Sequence, residues 1–446
     1  MPTPIICADP RLRQFAARFR SCFSQPQFQY FVTVLLGVLL CLEARTCSGV
    51  QRAVCCGRSL AGLSRFLARA PWSAPTLVGV WTAHFRQQLT PAVRAEIARR
   101  KAARPVRPGR PPVTLLTGYL AGDDSVCAKP RAHQSVYGAN SERVPRPMAA
   151  IGQHYSSTAG QTVQGHDVVL THYLLQGRGC PQQPALYRQK AVCAREKVPF
   201  KSKIDLMAEQ IERFVPVEGT QTHVLLDSWY ACKRLWKLAR TLGYTITTGL
   251  KSNRWLWVPD AAAPGGGAWQ QLSAYAASLS ATDYQQVEWP SQRGGHTVWV
   301  HVVRTRVRKL YTCQVVFVRK SLSAPVSSVR YWASSDLAAD AVGLIGHIAA
   351  RWDIEVLIAD LKELGLDQYQ LLSAEGIVRW WTLVLACYVF LEEQRAALVA
   401  QRGTYVTIGA TRREVQVVHR RNLLDWLFVR FQHGDTPDDL APLLAA

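Results

Sequence analysis

One stretch constrains the fold more than any other. His223-Val-Leu-Leu226 is a short apolar run that ends at Asp227, and a helix-patterned segment follows at once. There Leu235, Leu238, Ala239 and Leu242 recur at i, i+3, i+4 and i+7, Ser228 stands where it can cap the helix, and Gly243 ends it. Residues 244–249 then form a second apolar strand. Strand, helix and strand in succession predict an α/β layer. Strands expected over 113–121 and 168–175, with a helix at about 203–214, extend that layer, so a catalytic core would begin at 113 and run to 250.

The flanking regions read differently. Residues 1–98 carry apolar clusters at helical spacing and predict an all-helical N-terminal domain that binds DNA; Arg58 to Leu67 is a candidate recognition helix. Residues 99–112 (RRKAARPVRPGRPP) are basic and broken by X-Pro steps, which predicts a linker. Residues 251–340 lose the helical rhythm. Pro264-Gly-Gly-Gly267 predicts a loop, Trp299, Val300 and Val302 alternate as in a strand, and further strands are expected near 313–319 and 328–333. This section predicts a β-rich insertion. A long helix over 340–364 and a second over 375–400 return the chain to the core (341–400), and a basic C-terminal region (401–446) ends in a loose acidic tail.

Charge narrows the partner. The chain has 53 Lys and Arg against 31 Asp and Glu, a formal net charge of +22 in 446 residues. Such an excess suits the phosphate backbone of nucleic acid, where each neutralised phosphate releases counterions. The twelve cysteines are scattered and form no C-x-x-C pair, which predicts reduced thiols in a cytoplasmic protein. The most apolar early run, Tyr30 to Leu42, falls short of the ~20 residues of a membrane span and predicts a buried helix.

Three elements offer carboxylates. Asp227 ends a strand, where α/β sheets place their functional groups. Asp123 and Asp124 follow the apolar run 113–121; two adjacent acids need a cation, and Lys129 or a divalent ion would serve. Neighbouring side chains on an extended chain point opposite ways, so one of the two faces the site. On the expected helix around Glu355, Arg351 lies four residues before it and Lys362 seven after, which gives one stripe of cation, carboxylate, cation. Three carboxylates on one α/β layer form an oxygen-rich set that suits two divalent ions and in-line attack on phosphorus.

These residues resemble the DDE transposases of the insertion-sequence 4 superfamily, and most closely the insertion-sequence 701 group. The superfamily carries Tyr-x2-Arg-x3-Glu-x6-Lys on its last catalytic helix; this chain has Ile348-x2-Arg351-x3-Glu355-x6-Lys362. Asp123-Asp-Ser125, Gly165-His-Asp167, Leu226-Asp-Ser-Trp-Tyr230 and Ser64-Arg-Phe-Leu67 resemble further words of the group. The resemblance implies a ribonuclease H-like catalytic fold with a β-rich insertion, and Asp123 (or Asp124), Asp227 and Glu355 as catalytic metal ligands. It implies Mg2+, replaceable by Mn2+, and cut-and-paste transposition in a bacterial, nucleoid-associated setting. The enzyme would cleave double-stranded DNA at terminal inverted repeats and join the freed ends to target DNA, working as a DNA-bound homodimer. Arg351, Lys362, Lys129 and Arg254 would contact DNA, with Trp255, Trp257 or Trp299 stacking on a flipped base. The departure is Ile348, which has no phenol; Tyr331 or His347 would have to replace that contact. A nuclease without strand transfer and a catalytically silent DNA-binding regulator are the rival readings.

Overall fold

The computed structural model describes residues 3–4, 8–55, 59–103, 115–130, 133–137, 143–260, 266–290 and 294–444. Most of the expected linker, Arg58 and half of the 264–267 loop lie outside these residues. Five α-helices dominate the described N-terminal region: α1 (Pro10–Ala17), α2 (Gln25–Leu40), α3 (Cys47–Arg52), α4 (Leu60–Ala68) and α5 (Ala74–Ala102); a two-residue parallel pairing of Thr3–Pro4 with Val54–Cys55 means that it is not all-helical. Their ends follow local chemistry. Asp9, Thr46, Ser59 and Ser73 each accept a backbone N–H of the first turn, and Pro10 and Pro75 sit where the missing donor costs nothing. The apolar run from Tyr30 lies in α2 as far as Leu40, with Val34 to Leu39 buried, whereas Leu42 beyond the helix end is exposed.

The centre is an eleven-stranded mixed sheet. Its first half comprises β1 (Leu116–Ala128), β2 (Gly152–Ser156), β3 (Gln161–Leu175), β4 (Arg178–Pro181), β5 (Thr220–Leu226) and β6 (Thr245–Leu250), with a short strand Ala185–Tyr187 also paired to β3. β1 is antiparallel to β3 and parallel to β5, and β5 is parallel to β6. β4 folds back on β3. The order β4-β3-β1-β5-β6, with this mix of directions, is a ribonuclease H-like arrangement. β2 pairs with the other end of β3. Helices α6 (Lys203–Arg213) and α7 (Lys233–Thr241) cover one face.

The section expected as an insertion is indeed β-rich, and four of its strands extend the same sheet. β7 (Gln285–Trp289), β8 (His296–Arg306), β9 (Thr312–Arg319) and β10 (Arg330–Ser334) form an antiparallel run whose last member pairs with β6. A separate hairpin, Trp255–Pro259 with Gly267–Gln271, carries Trp257 and Trp269.

The expected helix over 340–364 is two helices, α8 (Ala341–Ala350) and α9 (Trp352–Glu363), joined at Arg351. Then α10 (Ala374–Arg402) forms a buried spine. It is the one described helix long and apolar enough to cross a membrane, and most of its apolar stretch is buried in the protein core. Arg379 on α10 donates to the carbonyls of Leu67 and Trp72, and the N-terminal helices share one continuous apolar core with the sheet. α11 (Ile408–Gln432) follows. The acidic end is not loose: it forms α12 (Pro437–Leu444), where the Asp439 carboxylate accepts from Thr436 at the first turn.

Two members of the expected basic C-terminal group serve the fold. Arg412 donates to the carbonyls of Leu39 and Cys41, and His419 accepts from the Asp9 backbone. All nine cysteines with described side chains are free thiols.

Ile348 has a packing explanation. It is 3% exposed in a satellite core with Val287, Val298, Val300, Val316 and Leu344, where α8 meets the extended sheet. The larger Tyr would overfill this space. Ile348→Tyr is therefore expected to destabilise the protein by about 1–3 kcal/mol, read from the midpoint of urea unfolding; an unchanged midpoint would contradict this packing.

Candidate active site

The two faces of β1 define two groups of acids. Tyr119 and Gly122 lie three residues apart and so face opposite sides of the sheet. The first meets His347 of α8, and a Cβ on the second would lie 2.7 Å from Met207 of α6. Asp123 therefore shares the face of α8 and α9, and Asp124 the face of α6.

The expected end of β1 at residue 121 is corrected by its pairing. Antiparallel contact with β3 carries the strand through both acids to Ala128. On its other side β5 stops when Leu226 meets Gly122, so Asp227 emerges one residue later beside Asp123. The strand-end reading thus holds for β5, while Asp123 lies inside its own strand. Ser228 does not cap the next helix. Residues 228–230 form a single 3-10 turn, and α7 begins at Lys233 after Cys232. Gly249 makes room for that turn: a Cβ there would lie 3.0 Å from the Ser228 nitrogen.

Arg351 joins the acids. Its guanidinium lies 3.8 Å from the Asp123 carboxylate, ion-pairs with Glu355 one helical turn on, and sits 5.5 Å over the Trp332 ring. Asp123 and Glu355 thus meet through one cation, and Asp227 acts electrostatically on Asp123. Burial, then the charges of Asp124 and Asp227, push the Asp123 carboxyl up to about 7, against the pull of the Asp124 N–H and Arg351. The side chains of Asp123 and Glu355 keep 23% and 34% of their surface, so the site is open.

Asp124 belongs to a second group behind the strand. Lys203 lies 2.6 Å from both Asp124 and Asp167, and the Tyr230 hydroxyl donates to Asp124 at 2.7 Å. One ammonium cannot neutralise two acids. Burial, then the nearby Asp124 charge, push the deeper Asp167 up to about 7 against the pull of Lys203. His154, driven down to about 4 by burial and Lys203, is neutral beside it at pH 7.

The other expected site residues divide. Lys362 is half-buried on α9, two turns beyond Glu355. Lys129 does not compensate the paired acids: its ammonium is buried, donates to the carbonyls of Asp367 and Tyr369, and lies 3.5 Å from the Tyr369 ring centre. Arg254 donates to the Ala231 carbonyl after β5. Trp255 is part-exposed, whereas Trp257 stacks edge-on with Trp269 under Arg306. Trp299 is half-buried on β8. Tyr331 and His347, the suggested substitutes for the missing phenol, are both buried.

The sequence reading missed Lys203. A lysine at the first position of a helix opposes the dipole there, and that misfit was a signal that an acid compensates it.

Neighbouring central strands thus hold Asp123 beside Asp227, and Arg351 links Asp123 to the helical Glu355, an oxygen-rich set of the kind that can take divalent ions. A sequence model described as DDE superfamily endonuclease matches residues 18–302, more than half of the chain. The chain belongs to the DDE superfamily endonucleases. The matched span contains Asp123 and Asp227; Glu355 lies beyond it and is placed by geometry. No curated protein matches the sequence. Among solved structures, the cryo-EM structure of the piggyBac transposase synaptic complex with hairpin DNA is similar at 11% identity and a TM-score of 0.38. That match covers 73% of this chain and 56% of the transposase chain, so this protein corresponds to little more than half of its length.

The raised carboxyl of Asp123 has a measurable sign. An unfolded aspartate loses its proton near pH ~4, and the folded one near 7. Between these values the folded state binds more protons, so stability falls as pH rises through the window. Asp167 adds a slope of the same sign. In EDTA, Asp123→Asn should flatten part of the fall in thermal midpoint between pH 4 and 7. A profile parallel to wild type would refute the raised carboxyl.

Proposed function

We propose that this protein is a DNA transposase of the insertion-sequence 4 superfamily, in the insertion-sequence 701 group, that cuts its element out and pastes it into target DNA. The observation that carries the reading is the placement of Asp123 beside Asp227 and, through Arg351, next to Glu355, in a DDE superfamily endonuclease with a net charge of +22. In this reading the partner is double-stranded DNA at terminal inverted repeats and at the target, and two copies of the chain bring two ends together in the bacterial cytoplasm.

The donor set fits Mg2+, with Mn2+ as a substitute. It is carboxylate oxygen throughout, and burial and negative neighbours disfavour ionisation of Asp123, a condition that a hard cation relieves. Such ions, two in this reading, would activate the attacking oxygen and stabilise the leaving one. The chain's own residues do the positioning. β1 and β5 hold Asp123 and Asp227 side by side, α9 brings Glu355 across from them, and Arg351 is the cation placed to meet a phosphate delivered to the acids. Lys362, farther along the helix, offers a second positive charge to the same strand.

The test is cleavage and joining of DNA carrying the element's own ends in Mg2+. Wild type should yield cut ends and insertions. Asp123→Asn, Asp227→Asn and Glu355→Gln should each lower the rate by roughly 10³-fold or more, because the three act as a unit. Asp124→Asn should retain far more activity. Cut ends without insertions would favour a plain nuclease, and binding without cutting would favour a regulator.

A further inference from the structure

A second cluster lies on the same face of the sheet, deeper than the catalytic acids and made of different donors. His223 is on β5, four residues before Asp227. His347 is on α8, four residues before Arg351. Asp336 is on the connection from β10 to α8. One ligand atom from each lies within 4.8 Å of the other two. We propose that His223, Asp336 and His347 form a zinc-type metal site that ties the extended sheet and the catalytic helix pair to the strand bearing Asp227.

Each candidate ligand has its other polar atom held, the arrangement by which proteins aim first ligands at a metal. The Asp336 Oδ1 accepts from the backbone N–H groups of Ala338 and Ala339 at 3.1 and 3.2 Å, which turns Oδ2 toward His347. The Tyr119 hydroxyl meets His347 Nδ1 at 3.2 Å, leaving Nε2 toward Asp336. Thr245 and Thr247 flank the two ring nitrogens of His223 at 2.7 and 2.8 Å, so either can keep the tautomer while the other nitrogen turns to a metal.

Spacing agrees. His347 Nε2 lies 3.3 Å from Asp336 Oδ2. That is long for a charge-assisted hydrogen bond and about the ligand–ligand edge of a tetrahedron with bonds of ~2.0–2.1 Å. The His223 and His347 rings are stacked with centres 3.9 Å apart, and the His223 ring completes the set by turning one nitrogen away from its threonine. Two imidazoles and one carboxylate select zinc-like ions over Mg2+. The Asp336 side chain, 26% exposed, gives an ion its path from solvent. Water completes the fourth position.

The test uses the full chain stripped with chelator and titrated with Co2+ as a spectroscopic stand-in for Zn2+. One equivalent should give the intense visible bands of a four-coordinate site. Zn2+ should displace them and raise the thermal midpoint. His347→Gln and Asp336→Asn should lose the bands, with folding checked by circular dichroism. Tyr119→Phe removes no ligand and should weaken binding by about 10–100-fold. Asp227→Asn, in the catalytic site, should keep the bands. Absence of such bands in folded wild type would overturn the proposal. So would bands that survive both ligand variants, or that vanish in Asp227→Asn.

Discussion

Arg351 is the interaction on which the active-site half of the structure depends. Its guanidinium is nearly buried, and it touches a strand of the core through Asp123, its own helix through Glu355 and the extended sheet through the Trp332 ring. Without a positive charge there, Asp123 would face Asp124 and Asp227 with only one backbone N–H in its favour. Removing one partner of a buried pair costs far more than the pair contributes, because the remaining charge is stranded. Partial exposure of Asp123 and Glu355 softens that penalty and leaves room for other cations and for a phosphate.

The extended sheet takes on meaning from this contact. β10 hydrogen-bonds to β6 and presents Trp332 to Arg351, while β7, β8 and β9 close over Ile348 on α8. The section between the second and third acids thus supports the helix that carries the third. Ile348 is itself a core residue of that contact.

Much of this was legible in the chain. Asp227 stood out because a four-residue apolar run stopped abruptly at a charge, and that stop is the end of β5. Glu355 stood out because Arg351 lies one helical turn away, and helical spacing survives the break between α8 and α9. The opposite facing of Asp123 and Asp124 followed from strand geometry alone. What was hidden depends on contacts distant in sequence. Pairing of β1 with β3 carries the strand past the acids, which no local pattern announces. Lys129 was chosen as their counter-charge because it is near in sequence, whereas Lys203, 79 residues beyond Asp124, fills that role in space. The His223, Asp336 and His347 cluster is assembled from three elements that no spacing rule links.

In the proposed function Asp123, Asp227 and Glu355, rather than Asp124 and Asp167, receive the divalent ion. Anomalous diffraction from crystals grown with Mn2+ tests it most directly. A peak is expected between the Asp123 and Asp227 carboxylates, on the side facing Glu355. A peak at Asp124 and Asp167 beside Lys203, with none at Asp123 and Asp227, would contradict it.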